Sequence, residues 1–224
     1  MRADPSRSHT GPVPSLATVF AFALASAVII AIPGPSILFT IGRALSAGRR
    51  EALLTVAGNA LGVQTQIIGL AVGLGPVIAA SATAYTVLKI LGAGYLLYLG
   101  VQAIRHRRAT AQALVGGLAT SSPTVHALRN GFVVGVTNPK SLVLLAAVLP
   151  QFVDPGGRVG LQLLVLGPVF AVIALAGDGT VALLASRFRD WFASSPRRME
   201  RVGGVGGLMM VGLGAGLLVT GRPD

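Results

Sequence analysis

The sequence has no cysteine, little charge and almost no lysine. Without cysteine there is no disulfide, no thiolate metal site and no thiol nucleophile, while the redox compartment stays open. Charged residues make up 11% of the 224, against 53% hydrophobic residues and a mean hydropathy of +0.75. A soluble core of that length cannot hide so much apolar surface, which makes the lipid bilayer the natural solvent. Acids are scarce too, seven against 18 bases, for a formal charge of +11. In a soluble protein that excess would suggest nucleic acid. Here the cations fall in short segments between apolar runs, as membrane orientation requires, and no nucleic-acid partner is expected. Only Lys89 and Lys140 among the 18 basic residues are lysines, and both lie inside apolar segments.

Residues 1–15 are polar and carry Pro5, Pro12 and Pro14, so a disordered tail is expected there, with a second short tail at 221–224. Between them, residues 16–220 read as one transmembrane domain. Apolar runs lie at about 16–41, 52–75, 84–104, 131–152, 161–185 and 202–220. Each is near the ~20 residues that cross ~30 Å of hydrocarbon as helix. Arg2 and Arg7 precede the first run and Ala23-Leu24-Ala25 resembles a signal-peptide cleavage site, but the run continues well past it. Helices are required because lipid cannot satisfy exposed backbone groups, and barrel strands would alternate apolar with polar. The expected fold is all-α, with six transmembrane helices.

Basic residues set the expected orientation. Twelve fall on one side: Arg43, Arg49 and Arg50 after the first span, Arg105, Arg107, Arg108 and Arg129 between the third and fourth, and Arg187, Arg189, Arg197, Arg198 and Arg201 between the fifth and sixth. Arg2, Arg7, Arg158 and Arg222 fall on the other. The rich side is predicted to be cytoplasmic, which puts both termini outside a multi-pass protein of the inner membrane.

Two spans carry breaks. Pro33-Gly34-Pro35 interrupts the first and Asn138-Pro139-Lys140 the fourth, where each proline removes an amide donor and crowds the preceding turn. Pro35 precedes Arg43 by eight residues and Pro139 follows Arg129 by ten, roughly 12 to 15 Å of helix, so both breaks should lie near the midplane. They open the two halves of the chain. Three spans is an odd number, so the halves should form an inverted repeat, and paired broken helices in such repeats point to a transporter site.

Three charges lie within apolar runs: Lys89, Lys140 and Asp178. Such charges usually face a bundle interior or a cavity. Lys89 sits near the outer end of its span, where it can snorkel, whereas Asp178, between Gly177 and Gly179, lies deeper. In the second span Thr55, Asn59, Gly62 and Gln66 share one face, a pore-lining or helix-packing stripe. Gly58/Gly62, Gly69/Gly73, Gly131/Gly135, Gly203/Gly207 and Gly212/Gly216 are each four apart, a spacing expected to serve close helix packing.

The first half carries Pro33-Gly34-Pro35, Arg43-Ala-Leu-Ser-Ala-Gly48-Arg49-Arg50, Gly58-Asn-Ala-Leu-Gly62 and Leu88-Lys89-Ile-Leu-Gly92-Ala-Gly-Tyr95-Leu-Leu-Tyr98-Leu-Gly100. The second carries Arg129-Asn130-Gly131-Phe132, Asn138-Pro139-Lys140 and Leu149-Pro150-Gln151-Phe152. Together these motifs resemble the LysE/RhtB family of amino-acid exporters, over residues 33–105 and 129–152. The resemblance implies gradient-driven efflux of amino acids such as lysine, threonine, homoserine or leucine, or of homoserine lactone. Ser36 and the uncharged Gln66 depart from the family pattern, in which Asn follows the first proline motif and a His or an acid stands in the second span.

The expected function is a secondary transporter that exports amino acids or close derivatives. Its substrate would meet Pro33, Gly34, Pro35, Ser36, Asn59, Gln66, Asn138, Pro139 and Lys140. Half-helix amides and Lys140 would receive the carboxylate, and Asp178 or freed carbonyls the ammonium group. Asp178 is the expected proton-coupling group, with Lys89 a second candidate for ion coupling. No cofactor or metal is expected, and a homodimer is left open. ATP is not the energy source, since no GxxxxGK[ST] loop is present. An intramembrane serine protease needs a His base, but His9, His106 and His126 lie outside the spans, and an aspartyl protease needs two buried carboxylates where only Asp178 qualifies. Metal or cation efflux is the nearer alternative, without the ligand cluster it would need.

Overall fold

The computed structural model describes residues 13–73, 82–116 and 124–219. The tails expected at 1–15 and 221–224 lie outside these residues except for 13–15, where the Ser15 hydroxyl caps α1 by accepting from the Thr18 amide at 3.2 Å. Helices α1 (Leu16–Ala31) and α2 (Pro35–Ala47) are followed by α3 (Arg49–Gly73) and α4 (Ala82–Gly116). The second half contains α5 (Thr124–Thr137), α6 (Pro139–Val148) with a 3-10 turn at Leu149–Phe152, α7 (Val159–Arg187), the short α8 (Arg189–Ala193) and α9 (Pro196–Val219).

The first and fourth spans break where their prolines stand. α1 and α2 meet at 60°, and His126–Thr137 meets Pro139–Phe152 at 48°. Ile32 and Asn138, each preceding a proline, are held extended, with ψ of 115° and 106°. Among the described residues α3, α7 and α9 are long and apolar enough to cross a membrane, and the two bent pairs raise the number to five if each is one span. The chain is therefore a multi-pass helical membrane protein. The third predicted span, on α4, is not among these five.

Elsewhere the helices outrun the apolar segments that announce them. α3 begins at Arg49 directly after Gly48, whose φ of +88° suits glycine and turns the chain between α2 and α3 within one residue. α4 continues to Gly116 instead of ending near residue 104, so the segment with Arg105, Arg107 and Arg108 is helical. Glu200 on α9 accepts from Arg107 Nε at 3.1 Å and from Arg108 Nε at 3.0 Å, fastening this basic turn to a neighbour.

Glycine governs the close approaches. α3 runs between α5 and α7, and α4 lies along α9. A Cβ added at Gly58 would come within 2.0 Å of the Leu128 carbonyl, and one at Gly62 within 2.4 Å of that of Phe132. Reciprocally, Gly131 faces the Thr55 carbonyl at 2.1 Å and Gly135 that of Asn59 at 2.3 Å. Two predicted glycine pairs thus interlock backbone against backbone. At the α4–α9 seam Gly100 and Gly207 face each other in the same way, while Gly203 has only ordinary contacts. Among the described residues a Cβ at Gly69, Gly73, Gly212 or Gly216 would meet no heavy atom within 4 Å.

Two apolar clusters form the interior. One joins Phe22, Ile29, Val63, Ile67, Leu144, Phe170 and Ala174, with Phe22 and Phe152 edge to face at 5.4 Å. The other joins Ile37, Ile41, Leu45, Val56, Ala182 and Met199 at the basic end. On α3 Asn59 falls between Val56 and Val63, and on α7 Asp178 falls between Ala174 and Ala182, so a thin polar layer separates the clusters.

Candidate substrate site at the paired helix breaks

The polar layer encloses a cavity of about 40 Å³ lined by Ser36, Asn59, Asn138, Lys140, Ser141 and Asp178 among apolar neighbours. Both breaks reach it, and α3 and α7 contribute one polar residue each. Asn59, Asn138, Lys140, Ser141 and Asp178 are all buried. Lys140 and Asp178 line the same space, yet the ion pairs within 4 Å among the described residues are Arg43–Glu51, Arg107–Glu200 and Arg108–Glu200, and none joins these two.

Each break supplies partners to the other. Pro139 occupies the first turn of α6, and Asn138 caps it, its Oδ1 accepting from the Lys140 amide at 3.1 Å. The Asn138 Nδ2 donates to Ser36 Oγ at 3.3 Å, reaching the start of α2. The Lys140 ammonium crosses in the same direction, donating to the Ile29 carbonyl at 3.1 Å and to the Ile32 carbonyl. Its stem lies over Gly34, where a Cβ would fall 2.8 Å from Lys140 Cδ. Glycine at this position thus admits the lysine.

Helix α3 serves both ends of the arrangement. Asn59 Nδ2 donates to Asp178 Oδ2 at 3.3 Å, orienting the buried carboxylate. Gln66 Nε2 donates to the carbonyls of Val136 at 2.9 Å and Asn138 at 3.1 Å. The Val136 carbonyl would ordinarily accept from the Lys140 amide, which the Asn138 side chain has taken, so Gln66 supplies the donor that the break withdraws.

The predicted residues therefore divide. Ser36, Asn59, Asn138, Lys140 and Asp178 come together around the cavity. Gln66 binds the second break from behind, and Pro139 shapes α6. Pro33, Gly34 and Pro35 line a different, largely apolar cavity of about 430 Å³ against α4 and α9. Lys89 is buried on α4, which contributes nothing to the polar cavity. Sequence reading did not single out Ser141 or the Ile29 and Ile32 carbonyls. For Ile29 the signal was present, because it lies four residues before Pro33 and so loses its α-helical donor, keeping the Ile32 amide at 3.3 Å.

A buried cationic and anionic group, two amides and two hydroxyls suit a small ligand with both charges. A cavity of about 40 Å³ takes a few water molecules, and a larger ligand requires the breaks to move apart.

The LysE type translocator family model matches residues 27–221. A membrane protein of Vibrio cholerae is 36% identical over 205 residues, covering 90% of this chain and 96% of its own. The homoserine/homoserine lactone efflux protein of Salmonella typhimurium is 32% identical over 203 residues, covering 91% and 96%. No solved structure matches. Agreement of the family model over nearly the whole chain, with relatives aligned almost end to end, establishes that this protein belongs to the LysE type translocator family.

Proposed function

We propose that this protein exports amino acids, or close derivatives that keep a primary ammonium, across the inner membrane, with substrate held at the paired helix breaks. Membership of the translocator family supports amino-acid export in general and a transporter in place of an enzyme. The observation that carries the finer reading is the convergence of both breaks on one buried cavity that holds Lys140 and Asp178 without pairing them. Homoserine and its lactone, the cargoes named for the Salmonella relative, share an ammonium and a carbonyl oxygen but not a free carboxylate. The ammonium is then the constant element of recognition. Asn59, Asp178 and backbone carbonyls are the groups suited to it, while Asn138, Ser36 and the α6 amides suit the carbonyl end.

The same proposal includes six spans in two inverted repeats, both termini outside, and exchange of substrate for a proton at Asp178. The angles at the breaks and the shared cavity support hinged movement of the half-helices around a fixed site. Asp178→Asn keeps the shape and a hydrogen bond to Asn59 but cannot titrate. In liposomes the variant is expected to retain homoserine counterflow and to lose uphill transport under a proton gradient. If Asp178 is only half of a structural charge arrangement, the substitution instead destabilises the fold by roughly 3 to 5 kcal/mol, visible as a lower melting temperature. Uphill transport by Asp178→Asn would remove this residue from the coupling step.

A further inference from the structure

Lys140 bears a primary ammonium, and its seat consists of backbone carbonyls at the first break. The Ile29 carbonyl lies four residues before Pro33, which has no N–H to offer, and accepts from the Ile32 amide at 3.3 Å with its second lone pair left for an ammonium, while the Ile32 carbonyl lies where the chain leaves α1. At Gly34 a Cβ would crowd Lys140 Cδ at 2.8 Å but stand 3.5 Å from Nζ, an ordinary contact. The glycine thus makes room for the lysine stem and leaves the ammonium position independent of it. Asp178 lines the same cavity and offers a carboxylate to an ammonium that leaves the seat.

We infer that the Ile29 and Ile32 carbonyls form a binding site for a primary ammonium, which Lys140 fills from within the chain and which a cargo ammonium takes over by displacing Lys140 toward Asp178. The inference rests on the transport reading for the identity of the cargo, not for the existence of the ammonium site. Lysine and cargo present the same –NH3+ group with the same three donors, so one replaces the other at the carbonyls without a change of charge there. Both ammonium groups claim the same two carbonyls, so occupancy is competitive. A tethered competitor acts at a high effective concentration, which weakens cargo binding and speeds its release. Lys140 is then a positioning and specificity residue that selects for cargo able to reproduce its own ammonium.

Two variants relieve the competition in different ways. Lys140→Ala removes the competitor, and Gly34→Ala crowds its stem while every charge is kept. Binding of n-propylammonium to each purified protein is compared with that of tetramethylammonium, which has no N–H. Both variants are expected to bind n-propylammonium at least about tenfold more tightly than the unaltered protein, with no such gain for tetramethylammonium, and homoserine should displace the bound amine. Equal n-propylammonium affinity in all three proteins overturns the inference, as does homoserine binding that leaves the amine in place. Should Lys140→Ala fail to fold, Gly34→Ala decides alone. Homoserine counterflow by the unaltered protein is read separately. Counterflow without a gain in amine binding sinks only the ammonium site, whereas a gain without counterflow supports that site and removes homoserine as the cargo.

Discussion

At Gln66 one side-chain amide stands in for a backbone donor that the second break withdraws. Its Nε2 bridges the Val136 and Asn138 carbonyls, while its Oε1 is buried without a hydrogen-bond partner among the described residues. Removing the amide leaves the Val136 carbonyl unmet, since that of Asn138 also accepts from the Leu142 amide and the Ser141 hydroxyl, at a cost of about 1 to 3 kcal/mol, more than a surface glutamine would show. Gln66→Leu is therefore expected to lower the melting temperature of the purified protein and to loosen α5 relative to α6. An unchanged melting temperature would mean that the Val136 carbonyl finds another donor. The sequence placed Gln66 on the correct face of its helix, together with Thr55 and Asn59. Their partners were not legible, because Val136 and Asp178 lie 70 and 119 residues further along the chain. Thr55 illustrates the limit, since its buried hydroxyl donates to the Glu51 carbonyl of its own helix at 2.8 Å and reaches no neighbour.

Helices α3 and α5 interlock through four glycines, and this contact carries one cavity-lining residue, Asn59, on the same helix as the Gln66 brace. A methyl group at Gly58 meets the backbone of Leu128 and Phe132, and overpacking of that kind costs typically about 1 to 3 kcal/mol. Gly58→Ala is expected to lower the melting temperature, while Gly69→Ala, one helical stripe further and open to 4 Å, should leave it unchanged or raise it slightly. Equal effects at the two positions would show that the interlock does not set the stability of this helix pair. All five glycine pairs looked alike in the sequence, because a spacing of four fixes a shared face without saying what lies opposite. Breaks were far more legible: a proline withdraws its donor wherever the helix packs, and both bends fall at the prolines that predict them. The length of α4 was not, since its basic turn is held in helix by Glu200, nearly a hundred residues away.

Across the whole molecule the basic ends gather at one pole. The cluster of Ile41, Leu45, Ala111, Ala182 and Met199 draws together the ends of α2, α4 and α7 with the start of α9. Since the chain has no native cysteine, single cysteines at Arg50, Arg105 and Arg197 can be read without background. Each is expected to resist a membrane-impermeant maleimide in intact cells and to react once the membrane is opened, as a cytoplasmic basic pole requires. Labelling of all three from outside would invert the orientation. The six-span count rests on α4, whose apolar stretch was read from composition, and the same experiment tests it, because Arg105 shares a side with Arg50 only if an even number of crossings separates them. The two apolar clusters that enclose the polar layer have one more consequence. In an energised membrane any continuous file of water past Asp178 would be a proton wire, through which a gradient held across the membrane would run down. Here the polar layer lies between Phe170 and Leu144 of one apolar cluster and Ile37 of the other, side chains that offer a file of water no hydrogen bond.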